Sequence, residues 1–124
     1  MATVELTTAD FESTVTEKPI VLVDFWASWS GPSRAFAPVF DRSSEAHPDV
    51  VHAKVDTEAE QQLAAALQIR SIPTIMAFRD GILLFSQPGA LPAAALEDLI
   101  GKIKDLDMDA VRAEIAASTE TTNA

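Results

Sequence analysis

The sequence contains no cysteine. A disulfide framework, a thiolate metal site and a cysteine nucleophile are therefore excluded for this chain. Histidine is scarce as well, and the two present, His47 and His52, do not by themselves make up the ligand set of a metal site. We therefore expect no metal centre, and we expect both histidines to be ordinary surface or helix-end residues.

Long apolar runs and positive charge are also lacking. No run approaches the roughly 20 apolar residues that cross a bilayer, and the first ten residues contain acids but no base, unlike a secretory signal. Nine basic and 19 acidic residues give a net charge of −10, so phosphate backbones and anionic lipid surfaces would repel the chain. We therefore expect a cytoplasmic protein that binds neither nucleic acid nor membranes.

What is present suits one compact domain, because 48% of the 124 residues are hydrophobic. Over the first part of the chain, strand and helix patterns alternate, as they do in units with parallel strands. The run 20–26 is β-branched and aromatic without alternation, which is typical of a strand covered on both faces. The predicted elements are strand 3–6, helix 7–18, strand 20–26, helix 31–47, strand 50–55 and helix 57–67.

The pattern changes further along the chain. Two apolar runs, 74–78 and 82–85, are joined through Arg79-Asp80-Gly81, and Asp-Gly between such runs is a strong signal for an antiparallel hairpin. Leucine and isoleucine then recur at helical spacing over 92–106. Since crossovers between parallel strands are right-handed, we expect helices on both faces of one mixed sheet of about five strands, a three-layer α/β sandwich.

Residues 107–124 follow the predicted domain, 1–106, as an extension. Met108, Val111 and Ile115 have helical spacing, and a polar tail begins at Thr119. We expect a short amphipathic helix that docks weakly or frays, as terminal segments commonly do. A helix that binds a partner is the alternative.

One segment resembles a known active-site motif. Residues 23–33, VDFWASWSGPS, are similar to the motif of the thioredoxin family, in which Trp-Cys-Gly-Pro-Cys follows the central strand. Ser30 and Ser33 stand where that motif has its two cysteines. The resemblance continues in family order through 53–56, 69–74 and 89–91 and spans about residues 3–106. It implies the thioredoxin fold and protein-disulfide reductase activity without a resident cofactor.

The resemblance also implies roles for individual positions. Position 30 is that of the nucleophilic cysteine, at a helix N-terminus where the dipole favours a thiolate, and position 33 is that of the resolving cysteine. Asp24 corresponds to the buried acid that relays a proton, with Lys54 as its partner, and a purely structural Asp24–Lys54 ion pair is the alternative. The Ile72–Pro73 peptide bond is expected to be cis. The resemblance implies a substrate-binding surface formed by Trp29, Gly31, Pro32, Ile72, Pro73, Gly89 and Ala90.

Serine retains the shape of cysteine, but its oxygen cannot take part in thiol–disulfide exchange. We therefore interpret the chain as a monomeric disulfide reductase in a redox-inactive Cys-to-Ser form, whose partners would be thioredoxin reductase and disulfide-containing client proteins. The alternative is a natural non-catalytic module that binds extended peptides or a partner protein, and both an engineered and a natural origin of the serine pair fit the sequence. A serine hydrolase is not supported, because the Gly-X-Ser-X-Gly elbow is absent.

Overall fold

The structure, a computed structural model, describes the backbone of residues 2–123 and the side chains of residues 2–119. The alternation of strands and helices expected from the sequence is confirmed. The elements in chain order are β1 (Thr3–Glu5), α1 (Phe11–Glu17), β2 (Ile20–Trp26), α2 (Gly31–Ala46), β3 (Val51–Asp56), α3 (Gln61–Ala66), β4 (Thr74–Arg79), β5 (Ile82–Pro88), α4 (Ala93–Asp105) and α5 (Met108–Asn123).

The five strands form one mixed sheet in the order β1-β3-β2-β4-β5. The strands β1, β3 and β2 are parallel to their neighbours, whereas β4 runs antiparallel to both β2 and β5. Strand β2 therefore lies at the centre and pairs along its length on both sides. This position explains why its sequence lacks alternation, since both faces of a central strand are covered by helices.

Two hydrophobic cores hold the helices against the sheet. On one face, Phe11 of α1 and Leu63 of α3 pack with Val23 and other odd-numbered residues of β2. On the opposite face, Phe40 of α2 and Ile100 of α4 pack around Leu22 and β4. Each large side chain buried in this way contributes about 1.5–3 kcal/mol. The result is the predicted three-layer sandwich, and within residues 2–123 every helix is too short or too polar to span a bilayer.

The hairpin between β4 and β5 is confirmed. Asp80 and Gly81 both have positive φ, 53° and 79°, the pattern of the tight turns that match the twist of two antiparallel strands.

The start of α3 differs from the prediction, because the helix begins at Gln61 rather than at Thr57. The Asp56 carboxylate accepts hydrogen bonds from the amides of Glu58 and the residue after it, which stabilises a turn instead of a first helical turn.

The prediction for His52 is wrong. His52 lies on β3 with 1% of its surface exposed, and its ring packs against Phe40 at 5.0 Å between centroids. Nδ1 lies 3.0 Å from the Val50 carbonyl and Nε2 lies 2.9 Å from the Ser43 hydroxyl. A carbonyl oxygen only accepts, so Nδ1 donates to it and Nε2 accepts from Ser43. Burial lowers the pKa of His52. His47 does end a helix, as the C-cap of α2.

The C-terminal extension is helical over a longer range than predicted, because α5 continues through Thr119 to Asn123. Its first turn docks, since Met108 is buried and the Arg112 guanidinium lies 3.3 Å from the Asp80 carboxylate. Further along, Ile115 is 46% exposed. The last residue of the predicted polar tail, Ala124, lies outside the described residues. The division of the chain into 1–106 and 107–124 stays a prediction.

Candidate functional site

The motif lies where the central strand passes into a long helix. Strand β2 ends at Trp26 and α2 begins at Gly31, with Ser30 as its N-cap and a proline in its first turn, where the missing amide N–H of proline costs nothing. The Ser30 amide donates to the Ala27 carbonyl at 3.2 Å, which closes the intervening loop. Ser30 therefore sits at the positive end of a 16-residue helix dipole.

The two serine hydroxyls are neighbours in this turn. The amide of Ser33 donates to Ser30 Oγ at 3.3 Å, and Ser30 Oγ donates to the Ile72 carbonyl at 3.3 Å. The Ser33 hydroxyl in turn accepts from the Ala27 amide at 3.4 Å. Each serine is 3% exposed. Neither hydroxyl has a histidine or carboxylate partner among the described residues, so the site contains no base for a serine nucleophile.

The loop before β4 lies against the motif. The Ile72–Pro73 peptide bond is cis, as expected, and the Ile72 carbonyl is the group that accepts from Ser30. Across the β4–β5 pair, the amide of Gly89 donates to the Pro73 carbonyl at 2.7 Å. Gly89 has a φ of +97°, a conformation that favours glycine. The structure therefore brings Ile72, Pro73 and Gly89 to the side of the motif that faces β4.

Other residues of the predicted substrate-binding surface are accessible. Trp29 is 65% exposed, and Gly31, Pro32 and Ala90 are exposed as well. Ile72 is half-buried, so part of its side chain remains available to a ligand. An exposed tryptophan beside a buried polar turn is a feature of binding surfaces rather than of a hydrophobic core.

Asp24 is fully buried in β2, the strand that leads into the motif. Neither of its carboxylate oxygens has a hydrogen-bond partner in the described part of the chain. Desolvation by burial raises the pKa of Asp24 to about 7, the Lys54 charge opposes this shift, and the nearby carboxylates of Glu5 and Asp41 add to it. A buried carboxyl group with a pKa near neutrality can accept and release a proton under ordinary conditions.

Lys54 does not pair directly with Asp24. The two residues are register partners on β2 and β3, but no hydrogen bond joins them, and Lys54 Nζ instead lies 5.1 Å from the centroid of the Trp26 ring. The alternative of a structural ion pair in direct contact is therefore wrong. Lys54 acts on Asp24 through space, because its positive charge favours the ionised carboxylate.

A cavity of about 190 Å³ opens beside the motif, on the side that faces β3. It is lined by Trp26, Ala27, Ser28, Ser33, Arg34, Ala37 and Lys54. Arg34 was not selected as a site residue from the sequence. Its position directly after Ser33, in the first turn of the helix that carries the motif, is the signal that could have found it.

Comparisons with known proteins agree with this architecture. The family model described as Thioredoxin matches residues 2–102. The chain is 54% identical over 115 residues to a putative thioredoxin 2 of Streptomyces coelicolor, an alignment that covers 93% of this chain and 86% of that protein. It is 42% identical over 99 residues to thioredoxin 1 of Synechococcus elongatus, covering 78% and 92% of the two chains.

Solved structures show the same likeness in three dimensions. The thioredoxin of Plasmodium falciparum superposes with a TM-score of 0.73 at 30% sequence identity, covering 81% of this chain and 97% of that one. The matched range of the family model includes β2, α2 and the loop that holds the cis peptide bond. The similarity therefore extends over every element that positions the motif.

Proposed function

The chain belongs to the thioredoxin family of disulfide oxidoreductases, and from that premise we propose that it is a thioredoxin whose substrate-binding surface is complete and whose redox chemistry is switched off by serine at positions 30 and 33. The observation that supports this most directly is the placement of both hydroxyls at the N-terminus of α2, with Ser30 against the carbonyl that precedes the cis-proline. A thiolate at this helix N-terminus would be stabilised.

With sulfur at both positions, the site would reduce a client disulfide in two steps. A thiolate at position 30 attacks one client sulfur, so that a mixed disulfide forms and the other client sulfur leaves as a thiolate. The thiol at position 33 then loses its proton and attacks the sulfur at position 30, which closes an internal disulfide and releases the second client thiolate. The internal disulfide is reduced again by thioredoxin reductase, which draws its electrons from NADPH.

Asp24 and Lys54 have a supporting role in this proposal. Ser33 and Lys54 line the same cavity, and Asp24, the register partner of Lys54 on β2, has a pKa of about 7. Asp24 would accept the proton of the thiol at position 33 as that thiol attacks, and Lys54 would stabilise the carboxylate in the deprotonated state. In the serine form there is no thiol proton to transfer, so Asp24 is buried without a catalytic partner.

The surface around the motif would bind an extended segment of the client protein. Trp29 and Ala90 offer exposed apolar area, and the Ile72–Pro73 and Gly31–Pro32 backbones border the two serines. The proposal implies thioredoxin reductase and disulfide-containing clients as partners, no resident cofactor, and a monomer in the cytoplasm. Residues 107–124 would be an accessory helix outside the redox domain.

The test is to restore both thiols, Ser30→Cys with Ser33→Cys, and to measure NADPH-dependent reduction of a model protein disulfide in the presence of thioredoxin reductase. We expect turnover in the restored protein and none in the parent chain or in the Ser30→Cys single variant, because a lone thiol cannot close the internal disulfide. A second assay with dithiothreitol as the reductant removes the dependence on reductase recognition. If a folded, fully reduced double variant is inactive in both assays, the redox proposal fails.

A second candidate is a natural binding module without redox function. The observation in its favour is that the serine pair is well accommodated, since the Ser30 hydroxyl both accepts from Ser33 and donates to Ile72. A hydroxyl N-cap of this kind stabilises a helix by about 1 kcal/mol. Inactivity of the restored protein together with non-covalent binding of extended peptides by the parent would favour this module.

A further inference from the structure

Two basic residues from different elements line the cavity beside the motif. Arg34 reaches it from the first turn of α2, and Lys54 reaches it from β3. One guanidinium nitrogen of Arg34 donates to the Ser28 carbonyl at 2.9 Å, and Lys54 Nζ lies over the Trp26 ring. Both contacts leave N–H groups available, because a guanidinium carries five of them and an ammonium three.

Three basic side chains pair with carboxylates of the described residues, and these two cations are among those that do not. Lys102, Lys104 and Arg112 each have a carboxylate oxygen within 3.3 Å. Among the described residues, neither Arg34 nor Lys54 has a carboxylate oxygen within 4.0 Å, although the chain carries 19 acids. Two cations without a contacting anion, placed together in a net-negative protein, are complementary to an anionic ligand.

Acidic residues lie near the cavity, but none of the residues that line it is acidic. The Glu58 carboxylate accepts from the Ser28 hydroxyl at 3.5 Å, so it lies beside a lining residue, and Asp24 is buried and not part of the lining. Glu5 interacts with Lys54 through space. The cavity itself, at about 190 Å³, has room for several heavy atoms, since a water molecule takes up about 30 Å³ in the liquid.

The cavity and the substrate-binding surface adjoin the same turn. Ser33 lines the cavity on the β3 side, and Ser30 contacts the Ile72 carbonyl on the β4 side. The two serines are linked by a 3.3 Å hydrogen bond. An extended peptide advances about 3.3 Å per residue, so a segment bound across the motif can place one side chain against the cis-proline loop and another, a few residues away, in the cavity.

We propose that this cavity binds the carboxylate of an aspartate or glutamate in the client segment, with Arg34 and Lys54 as the residues that determine the preference. The inference rests on the proposed function only in using the same peptide-binding surface. The bound carboxylate accepts hydrogen bonds from the guanidinium and the ammonium, and charge-assisted bonds of this kind are stronger than neutral ones. A client that carries lysine at this place would be disfavoured by the same two charges.

The first experiment uses the parent serine chain, so that no thiol chemistry is involved. Linear nine-residue peptides with a central serine carry glutamate at each flanking position in turn, and matched peptides carry glutamine or lysine there. Binding is followed by nitrogen-15 NMR, including the indole N–H of Trp26 and the side-chain N–H of Arg34. We expect one position at which glutamate binds about three- to ten-fold tighter than glutamine, the range of a partly exposed charge-assisted contact.

Two arginine variants make the test specific. Arg34→Gln should lower the glutamate-to-glutamine ratio, because only the Lys54 charge then remains, whereas Arg42→Gln, on the same helix but outside the cavity lining, should leave the ratio unchanged. The preference should also weaken as salt is raised, because the cavity is open to solvent. Equal binding of all peptides, binding of none, or a preference that Arg34→Gln leaves undiminished overturns the inference.

A second experiment separates this inference from the proposed function. In the Ser30→Cys, Ser33→Cys variant, kcat/KM is compared for two disulfide peptides that differ only by glutamate or glutamine at the position found above. Reduction of both peptides at the same rate contradicts the inference and leaves the redox proposal intact. Reduction of neither contradicts the redox proposal, while a glutamate preference in the parent chain would still support the anion-binding cavity.

Discussion

At the scale of single residues, Asp24 is the group whose environment departs most from that of an ordinary carboxylate. It is surrounded by the apolar core around β2 and α2, and neither oxygen has a hydrogen-bond partner among the described residues. Burying an unpaired charge is costly, so the group remains protonated to a higher pH than in water. The sequence indicated a buried acid here, but the absence of a direct Lys54 contact depends on where the lysine side chain packs.

The first residue-scale prediction concerns Asp24→Asn and pH. Burial raises the pKa of Asp24 from 3.8 to about 7, so between these values the folded state binds more protons than the unfolded state. The free energy of unfolding therefore falls as pH rises from about 4 to about 7, by about 4 kcal/mol. An asparagine side chain has no proton to lose, so the variant should lose this pH dependence and exceed the parent in stability at pH 8. Urea unfolding across this pH range measures the difference.

His52 acts in the opposite direction and must be separated from Asp24. Burial lowers the pKa of His52, so the unfolded state binds its proton first and stability is lost as pH falls below about 6.5. Subtracting the Asp24→Asn curve from the parent curve cancels this contribution, because both proteins retain His52. A difference that does not change between pH 4 and pH 8 would contradict the assignment of a raised pKa to Asp24.

At the scale of elements, Arg79 joins the end of β4 to the end of α4. One of its guanidinium nitrogens lies 2.8 Å from the Ile103 carbonyl and 2.9 Å from the Leu106 carbonyl. The last carbonyls of a helix have no partners within the helix, and a cation there also interacts favourably with the helix dipole. Arg79 therefore holds both the last turn of α4 and the linker that leads to α5.

We expect Arg79→Gln to lower the free energy of unfolding by about 1–3 kcal/mol, because charge-assisted bonds to partly buried helix-end carbonyls are lost. Arg79→Lys is the matched control, since it keeps the charge near the helix end but not the forked donor geometry, and it should lie between the parent and the glutamine variant. Hydrogen exchange should show faster opening of residues 103–106 in Arg79→Gln. Unchanged exchange there would mean that the cap has no structural effect.

The boundaries of elements show which features the sequence predicts well. The β4–β5 hairpin was predictable, because Asp80-Gly81 encodes its turn locally. The start of α3 was not, because the Asp56 side chain caps a turn that competes with the helix. His52 is buried because α2 lies over β3, where Ser43 contacts its ring. The sequence around His52 does not indicate this tertiary contact.

At the scale of the whole molecule, the order of motif, cis-proline loop and final helix was sufficient to predict the fold, whereas the location of the site stays a prediction. The resemblance predicted two features that the spacing of apolar residues does not. They are the cis peptide bond before Pro73 and the approach of the Ile72–Pro73 loop to Ser30. The charge of the cavity required the structure, because Arg34 and Lys54 lie on α2 and β3 and are brought together only by the packing of the two elements. A binding preference that needs residues from two elements therefore follows from the packing of the fold and cannot be found in any one segment of the sequence.

The last prediction tests whether residues 1–106 fold without the extension. The two cores are built from residues 6–103, so a chain that ends at Leu106 should keep the fold. It loses the buried Met108 side chain, worth about 2–3 kcal/mol, together with the exposed Arg112–Asp80 pair, and its melting temperature should fall by about 10 °C. In the full chain, Met108→Ala should reproduce most of this loss, whereas Ile115→Ser, at an exposed position, should not. Thermal unfolding followed by circular dichroism measures these differences. Failure of the truncated chain to fold would show that α5 belongs to the domain.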